Sequence, residues 1–295
     1  MSPAHHHPAN GYGHQQEPAF RASCYLRAFT AGGDNKIINI FNIDRDGYIA
    51  DAPVRSQCSG DYFYGQDQRL DDAIRHVEET YGAEARSLIA GCSTLSRKSA
   101  FVLRSFWVLQ HLRTEAASVR FAQMTRQLAD AIGEGEGFAM SIKEAVLLAM
   151  SFYVDQLQCT DDLDICVVRN ISGVPFITSD DPAVLTNRWH FHRQWHLTRS
   201  FGLGSTGMIG LLPLSEDLLC VLYDPELYEL ASVNGFLETA SSDDVAMLNE
   251  HQILNYHANL YARDANEHPR PRCSRPASAR HPPARPRCAA LCGGR

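Results

Sequence analysis

The sequence predicts an α+β fold in which a mostly antiparallel sheet packs against a set of long helices. Three observations predict it. Lys36-Ile-Ile-Asn-Ile-Phe-Asn-Ile43 and Leu218-Leu-Cys-Val-Leu-Tyr223 are short, β-rich runs bounded by polar turn residues. Ile165-Cys-Val-Val-Arg169 and Phe176-Ile-Thr178 flank the turn Asn170-Ile-Ser-Gly173, the spacing of an antiparallel hairpin. Leu70, Ile74, Val77, Tyr81 and Leu88 recur at helical spacing.

The 295 residues are 44% apolar and 21% charged, ordinary for a globular protein with a sizeable core. Residues 1–20 carry no apolar periodicity and read as a disordered N-terminal segment. Residues 21–263 read as a single α+β domain, and residues 264–295 as a disordered Arg/Pro-rich tail. No apolar run is long enough to cross a bilayer, and the polar, His-rich start is not a signal peptide. The expected location is therefore cytoplasmic, with no membrane partner. From Ala265 onward seven Arg face one acid, Glu267, so this tail carries +6 and leaves −13 on the remainder of a chain whose net charge is −7. That acidic body argues against broad binding to nucleic acid, whose phosphates it would repel. Six Cys lie singly in the body without a C-x-x-C pair, which predicts buried, reduced thiols.

In chain order, Cys24-Tyr-Leu-Arg-Ala-Phe29 has β-compatible residues leading to a Gly-rich turn. Strands follow at Lys36–Ile43 and Tyr48–Ala50. Between them Asn42, Asp44, Asp46 and Gly47 imitate the start of a calcium loop. Pro53 stands where that loop needs a bidentate Glu, so the segment reads as a hairpin turn. Asp61-Tyr-Phe-Tyr-Gly65 leads into the helix of Leu70–Leu88, where Asp71 and Glu78 share one face two turns apart. Lys98 to about Ile132 reads as one long helix or two in succession, apolar nearly all round in the first half, which predicts a central position. Gln110, His111, Arg113 and Thr114 are its polar exceptions. Gly133–Gly137 breaks it, and Ser141 with Glu144 has capping-box spacing for a helix to about Leu157. Met208–Leu214 and Leu218–Tyr223 read as strands, the second central. Ser242 opens a last helix reaching about Arg263.

Several constellations carry candidate chemistry. Phe176-Ile-Thr-Ser-Asp-Asp-Pro-Ala-Val184 ends a strand in a hydroxyl pair, two carboxylates and a proline, which holds charged groups at the rim of a core. His190, His192 and His196 cannot all serve one metal from one regular element, and they read as a polar aromatic insertion. Gly202–Gly207 lacks the Gly-Lys-Ser/Thr of a P-loop. Ser179 and Cys58 have no base at a readable spacing for nucleophilic catalysis.

A set of these stretches, taken in order, resembles the family known as domain of unknown function 4238. The matching stretches are Tyr25-Leu-Arg-Ala-Phe29, Ser56-Gln-Cys-Ser-Gly-Asp-Tyr-Phe-Tyr64, Leu70-Asp71 with Glu78, Gln110-x-x-Arg113-Thr114, Phe176–Pro182 and Leu212-Pro-Leu-Ser215. They span roughly Cys24 to Arg263. Where the family carries a His and a Pro before its Tyr-Leu motif, this chain has Ala19-Phe-Arg-Ala-Ser-Cys24. The resemblance implies a fold and a residue list, and no established activity. On that list Asp71, Glu78, Arg113, Asp180 and Asp181 are the candidate catalytic residues, with Tyr25, Arg27, Gln110 and Ser179 as candidate binding residues. Two functions follow. One is a hydrolase dependent on Mg or Mn, acting on phosphodiesters, with Asp180 and Asp181 as metal ligands and Arg113 opposing developing negative charge. The other is a non-catalytic binding or regulatory domain, with the same acids bonding turns and forming a structural ion pair.

Overall fold

A computed structural model describes residues 23–31, 35–43, 45–57, 68–114, 117, 119–123, 125–126, 142–187 and 202–263. The segments expected at 1–20, 61–65, 133–137 and 264–295, the Ser141 cap, and His190, His192 and His196 lie outside the described residues.

The described residues begin with a short helix, α1 (Ser23–Leu26), and a 3-10 turn over Arg27–Phe29, where extended backbone was expected. Spacing explains the difference. Tyr25 and Leu26 lie four and three residues before Phe29, so all three fall on one side of a helical turn, and all three are buried. β1 (Ile37–Asn42) and β2 (Gly47–Pro53) form the expected hairpin. Asp46 sits at a φ of 45°, and the Asn42 side chain accepts the Arg45 N–H at 3.0 Å. The resemblance to a calcium loop is turn chemistry.

After α2 (Val54–Gln57) comes α3 (Gln68–Ile89), which buries Ile74, Tyr81, Ala85 and Leu88 on the expected side. α4 (Arg97–Arg113) starts at Ser96, whose hydroxyl accepts the Ser99 N–H at 3.0 Å. Its central residues Val102, Leu103, Phe106, Trp107, Val108 and Leu109 are all buried, as a helix that is apolar all round requires. Of the two readings, helical stretches in succession are the one found. Thr114 is extended (φ −68°, ψ 154°), and helical backbone resumes at Ala117. The next expected helix is two, α5 (Ile142–Ser151) and α6 (Tyr153–Gln158), divided at Phe152 (φ −91°, ψ 3°).

The strands that follow are β3 (Asp164–Asn170), β4 (Thr178–Ser179), β5 (Val184–Asn187), β6 (Met208–Ser215), β7 (Leu218–Tyr223) and β8 (Phe236–Thr239). The chain ends in α7 (Ser242–Asn255) and β9 (Asn259–Ala262). They form two sheets, ordered β2-β1-β9-β4 and β5-β6-β7-β3-β8. Every pairing is antiparallel except β3 with β8. The α+β class therefore holds, with two sheets in place of one. β7 is central, between β6 and β3, as its apolar run demands.

Two connections differ from expectation. The hairpin between Ile165–Arg169 and Phe176–Thr178 does not form: β3 pairs with β7 and β8, while Thr178–Ser179 pairs with β9 in the other sheet. Pro175 has no N–H to extend a ladder, and Asn170 turns the chain by accepting the Ser172 N–H at 3.0 Å. The last helix ends at Asn255 rather than near Arg263, and the chain doubles back as β9 between β1 and β4.

The principal core lies where α3 and α4 meet β6 and β7. Trp107 lies flat against β6: its indole N–H donates to the Leu211 carbonyl at 3.1 Å, and a Cβ at Gly210 would come within 2.9 Å of the ring. Only glycine allows that approach. Among the described residues no helix is long and apolar enough to cross a membrane.

Candidate functional site

The site grows from the C-terminal end of α4, where Arg113 and Thr114 diverge toward two acids far apart in sequence. Arg113, 1% exposed, donates from Nη1 to the Glu78 carboxylate on α3. Its Nε donates to Gln110 Oε1 at 3.3 Å, and the guanidinium lies 5.9 Å from the centre of the Phe106 ring. Thr114 donates its hydroxyl to Asp181 Oδ1 at 2.8 Å. Arg120 donates to the other Asp181 oxygen, so the fully buried carboxylate is held by a guanidinium that remains 46% exposed. One end of one helix thus joins both acid-bearing segments.

Around the Glu78–Arg113 pair the walls are aromatic. Tyr81 stacks on Phe106 at 3.5 Å with an interplanar angle of 6°. Tyr25 lies 6.0 Å from Phe106 and 6.4 Å from Tyr81, and its hydroxyl is 2.6 Å from that of Thr178. The Gln110 Nε2 and the Tyr81 hydroxyl are buried without a hydrogen-bond partner among the described residues. Burial pushes both tyrosine hydroxyls well above their ordinary range. It also pushes the Cys24 thiol to about 11, with Glu78 adding to the shift. These groups stay protonated at neutral pH.

The Phe176–Pro182 segment is held by α7 and the turn after it. Asn249 donates to the Pro175 carbonyl at 2.9 Å and accepts the Ile177 N–H at 3.1 Å. Gln252 accepts from the Ser179 hydroxyl at 2.8 Å and donates to the Pro182 carbonyl at 2.9 Å. Asn255 donates to the Asp181 carbonyl at 2.6 Å. In return Asp180 accepts the backbone N–H groups of His257, Ala258 and Asn259, each at 2.8 Å. Those three donors keep the chain from continuing as helix beyond Asn255. Burial pushes the Asp180 carboxyl above its ordinary range, and the three N–H donors pull the other way.

His111, one turn after Trp107, stacks on that indole at 5.0 Å and lies 3.4 Å from the Ala183 carbonyl. Burial and the nearby Arg120 cation lower its pKa to about 4, against the pull of Asp181. It is a neutral imidazole at pH 7.

A family model described as a protein of unknown function, DUF4238, matches residues 22–266. The chain belongs to that family. No curated protein and no solved structure matches it. The DUF4238 match spans both sheets and α1 to α7, so it covers every side chain described above.

Of the residues singled out in the sequence, Glu78, Gln110 and Arg113 come together with Tyr25 on one side of α4. Asp181 and Ser179 come together on the other, where Ser179 Oγ accepts the Asp181 N–H at 3.3 Å. Asp180 turns away from both groups, toward residues 257–259. Asp71 is half-buried on α3, and no hydrogen bond or ion pair joins it to Arg113. Arg27 is exposed. Among the described residues no three His, Cys, Asp or Glu side chains are grouped to hold a metal. Sequence reasoning missed Arg120 and the carboxamides of α7. Asn249, Gln252 and Asn255 recur every third residue, and that spacing was a readable sign of a polar ridge.

Proposed function

We propose that this DUF4238 chain is a non-catalytic binding or regulatory domain whose motif residues form the polar frame of the fold. One observation carries the reading: three of the four candidate acids, Glu78, Asp180 and Asp181, each have a compensating partner. Glu78 has Arg113, Asp181 has Thr114 and Arg120, and Asp180 has three backbone amides. A metal-binding carboxylate offers its lone pairs to an open position, and three hydrogen bonds already occupy those of Asp180 and three those of Asp181. The competing reading is the Mg- or Mn-dependent phosphodiester hydrolase, with Asp180 and Asp181 as ligands. It requires those carboxylates to leave their present partners.

Thermal unfolding of the full chain with and without Mn or Mg, beside Asp180→Ala, separates the two. The frame reading expects no metal-dependent change in the parent and a midpoint roughly 5–10 °C lower in the variant. A metal-dependent rise in the parent that the variant lacks would overturn it, since a ligand that binds only the folded state raises the midpoint by mass action.

A further inference from the structure

We propose that the outer stripe of α7 is the docking face for the chain's own Arg- and Pro-rich C-terminal segment, Ala265 to Arg295. The inner side of α7 is occupied by the clasp of Asn249, Gln252 and Asn255 on the Phe176–Pro182 segment. On the other side Asp243, Met247, Glu250 and Leu254 follow one another at intervals of four, three and four residues, a single line along the helix. All four are exposed, Met247 at 44% and Leu254 at 51%. The helix contains no Lys or Arg. Asp243 and Asp244 have a local reason to be in the first turn, where they complement the helix dipole. Glu250, Met247 and Leu254 have none.

Carboxylates alternating with exposed apolar groups match a segment that alternates guanidinium with proline. Arg pairs with carboxylate through its fork while its aliphatic stem, like a proline ring, covers apolar surface. The segment has seven Arg against one acid, Glu267. It follows Arg263, the last described residue. Arg263 pairs with Glu216, whose carbonyl accepts the Phe176 N–H at 2.8 Å, and Asn249 brackets Phe176 from Pro175 and Ile177. Glu216 thus links the exit to the segment that α7 clasps. A flexible chain of this length spans roughly 30 Å, and the helix is roughly 21 Å long, so reach is sufficient.

The test is small-angle scattering with molar mass measured on the same sample of the full chain. The parent is compared with a tail variant (every Arg from 270 onward to Gln) and a stripe variant (Asp243→Asn, Met247→Ser, Glu250→Gln, Leu254→Ser). Docking expects the parent to have the smaller radius of gyration at low salt, both variants to expand, and about 1 M NaCl to expand the parent to match them. An undocked tail gives the opposite sign, because neutralising or screening a self-repelling cationic chain contracts it. Equal radii, or contraction in the tail variant or in salt, overturns the proposal. A doubled molar mass in the parent that both variants lose also overturns it, by identifying a second copy as the occupant. The tail variant changes no described residue, so its expansion cannot be assigned to a damaged fold.

Discussion

Two motif carboxylates, Glu78 beside the end of α4 and Asp180 beside the end of α7, are satisfied by different means. Among the described residues Glu78 pairs with the Arg113 cation, inside an aromatic enclosure where nearby polar atoms of Gln110 and Tyr81 lack partners. Asp180 has no Lys or Arg partner among the described residues: three backbone amides share its charge, and the surrounding segment is hydrogen-bonded by α7. A buried ion pair is only as good as its geometry, since both charges were taken out of water. Distributed amide donors avoid a second desolvated charge and fix the backbone that supplies them. The first arrangement concentrates risk in one contact, and the second spreads it.

Breaking the concentrated side should cost most. Arg113→Met leaves Glu78 charged and uncompensated, and the expected loss in urea unfolding is about 3–5 kcal/mol. Arg113→Met combined with Glu78→Leu should recover much of that loss. If the double variant is as unstable as the single, the stranded Glu78 charge is not what destabilises Arg113→Met.

Next is the pH response of His111, which faces Arg120, Asp181, the Ala183 carbonyl and Trp107. The folded imidazole titrates at about 4, and an unfolded one near its ordinary 6.5. Between those values the unfolded chain binds the extra proton. The stability it contributes is thus complete above pH 6.5 and lost as the pH falls toward 4, to a limit of about 3 kcal/mol. Denaturant unfolding from pH 7 to pH 4 should show a shallower fall for His111→Phe than for the parent. Parallel curves would remove His111 from the account.

On the distributed side, Asp180→Asn retains one acceptor oxygen and gives up the charge. The expected cost is about 1.5–3 kcal/mol by urea unfolding. A loss as large as that of Arg113→Met would mean the amides do not share the load. The smallest effect is expected from Tyr81→Phe, which keeps the ring stacked on Phe106 and deletes a hydroxyl with no described partner. Stability within about 1 kcal/mol of the parent is expected. A larger loss would show that the hydroxyl is bonded to buried water.

Local patterns were readable in the sequence, and distant pairings were not. α3 could be read because Ile74, Tyr81 and Leu88 repeat with the helix, and β7 because six apolar residues in a row suit a strand covered on both faces. The segment after Asn255 misled because nothing within it says that Asp180, over 70 residues earlier, will take the amides of His257, Ala258 and Asn259. The false hairpin at Asn170 arose the same way. Both halves had strand composition, but Thr178 and Ser179 found their partner in β9. The candidate residues were chosen as acids and an Arg without their counterparts. Arg120 was hidden in a helix read for its apolar face, and the α7 carboxamides lay in a helix whose polar ridge went unread.

The reciprocity between α7 and the Phe176–Pro182 segment has a dynamic consequence. Neither element can open alone, because the helix side chains hold the segment's backbone while a segment side chain holds the backbone that leaves the helix. Two stretches separated by some 70 residues therefore form one cooperative opening unit. In native-state hydrogen exchange the amides of Ile177, Ala258 and Asn259 should share one opening free energy, and Gln252→Ala should lower all three together. The latch is closed from both sides, so either half protects the other from solvent.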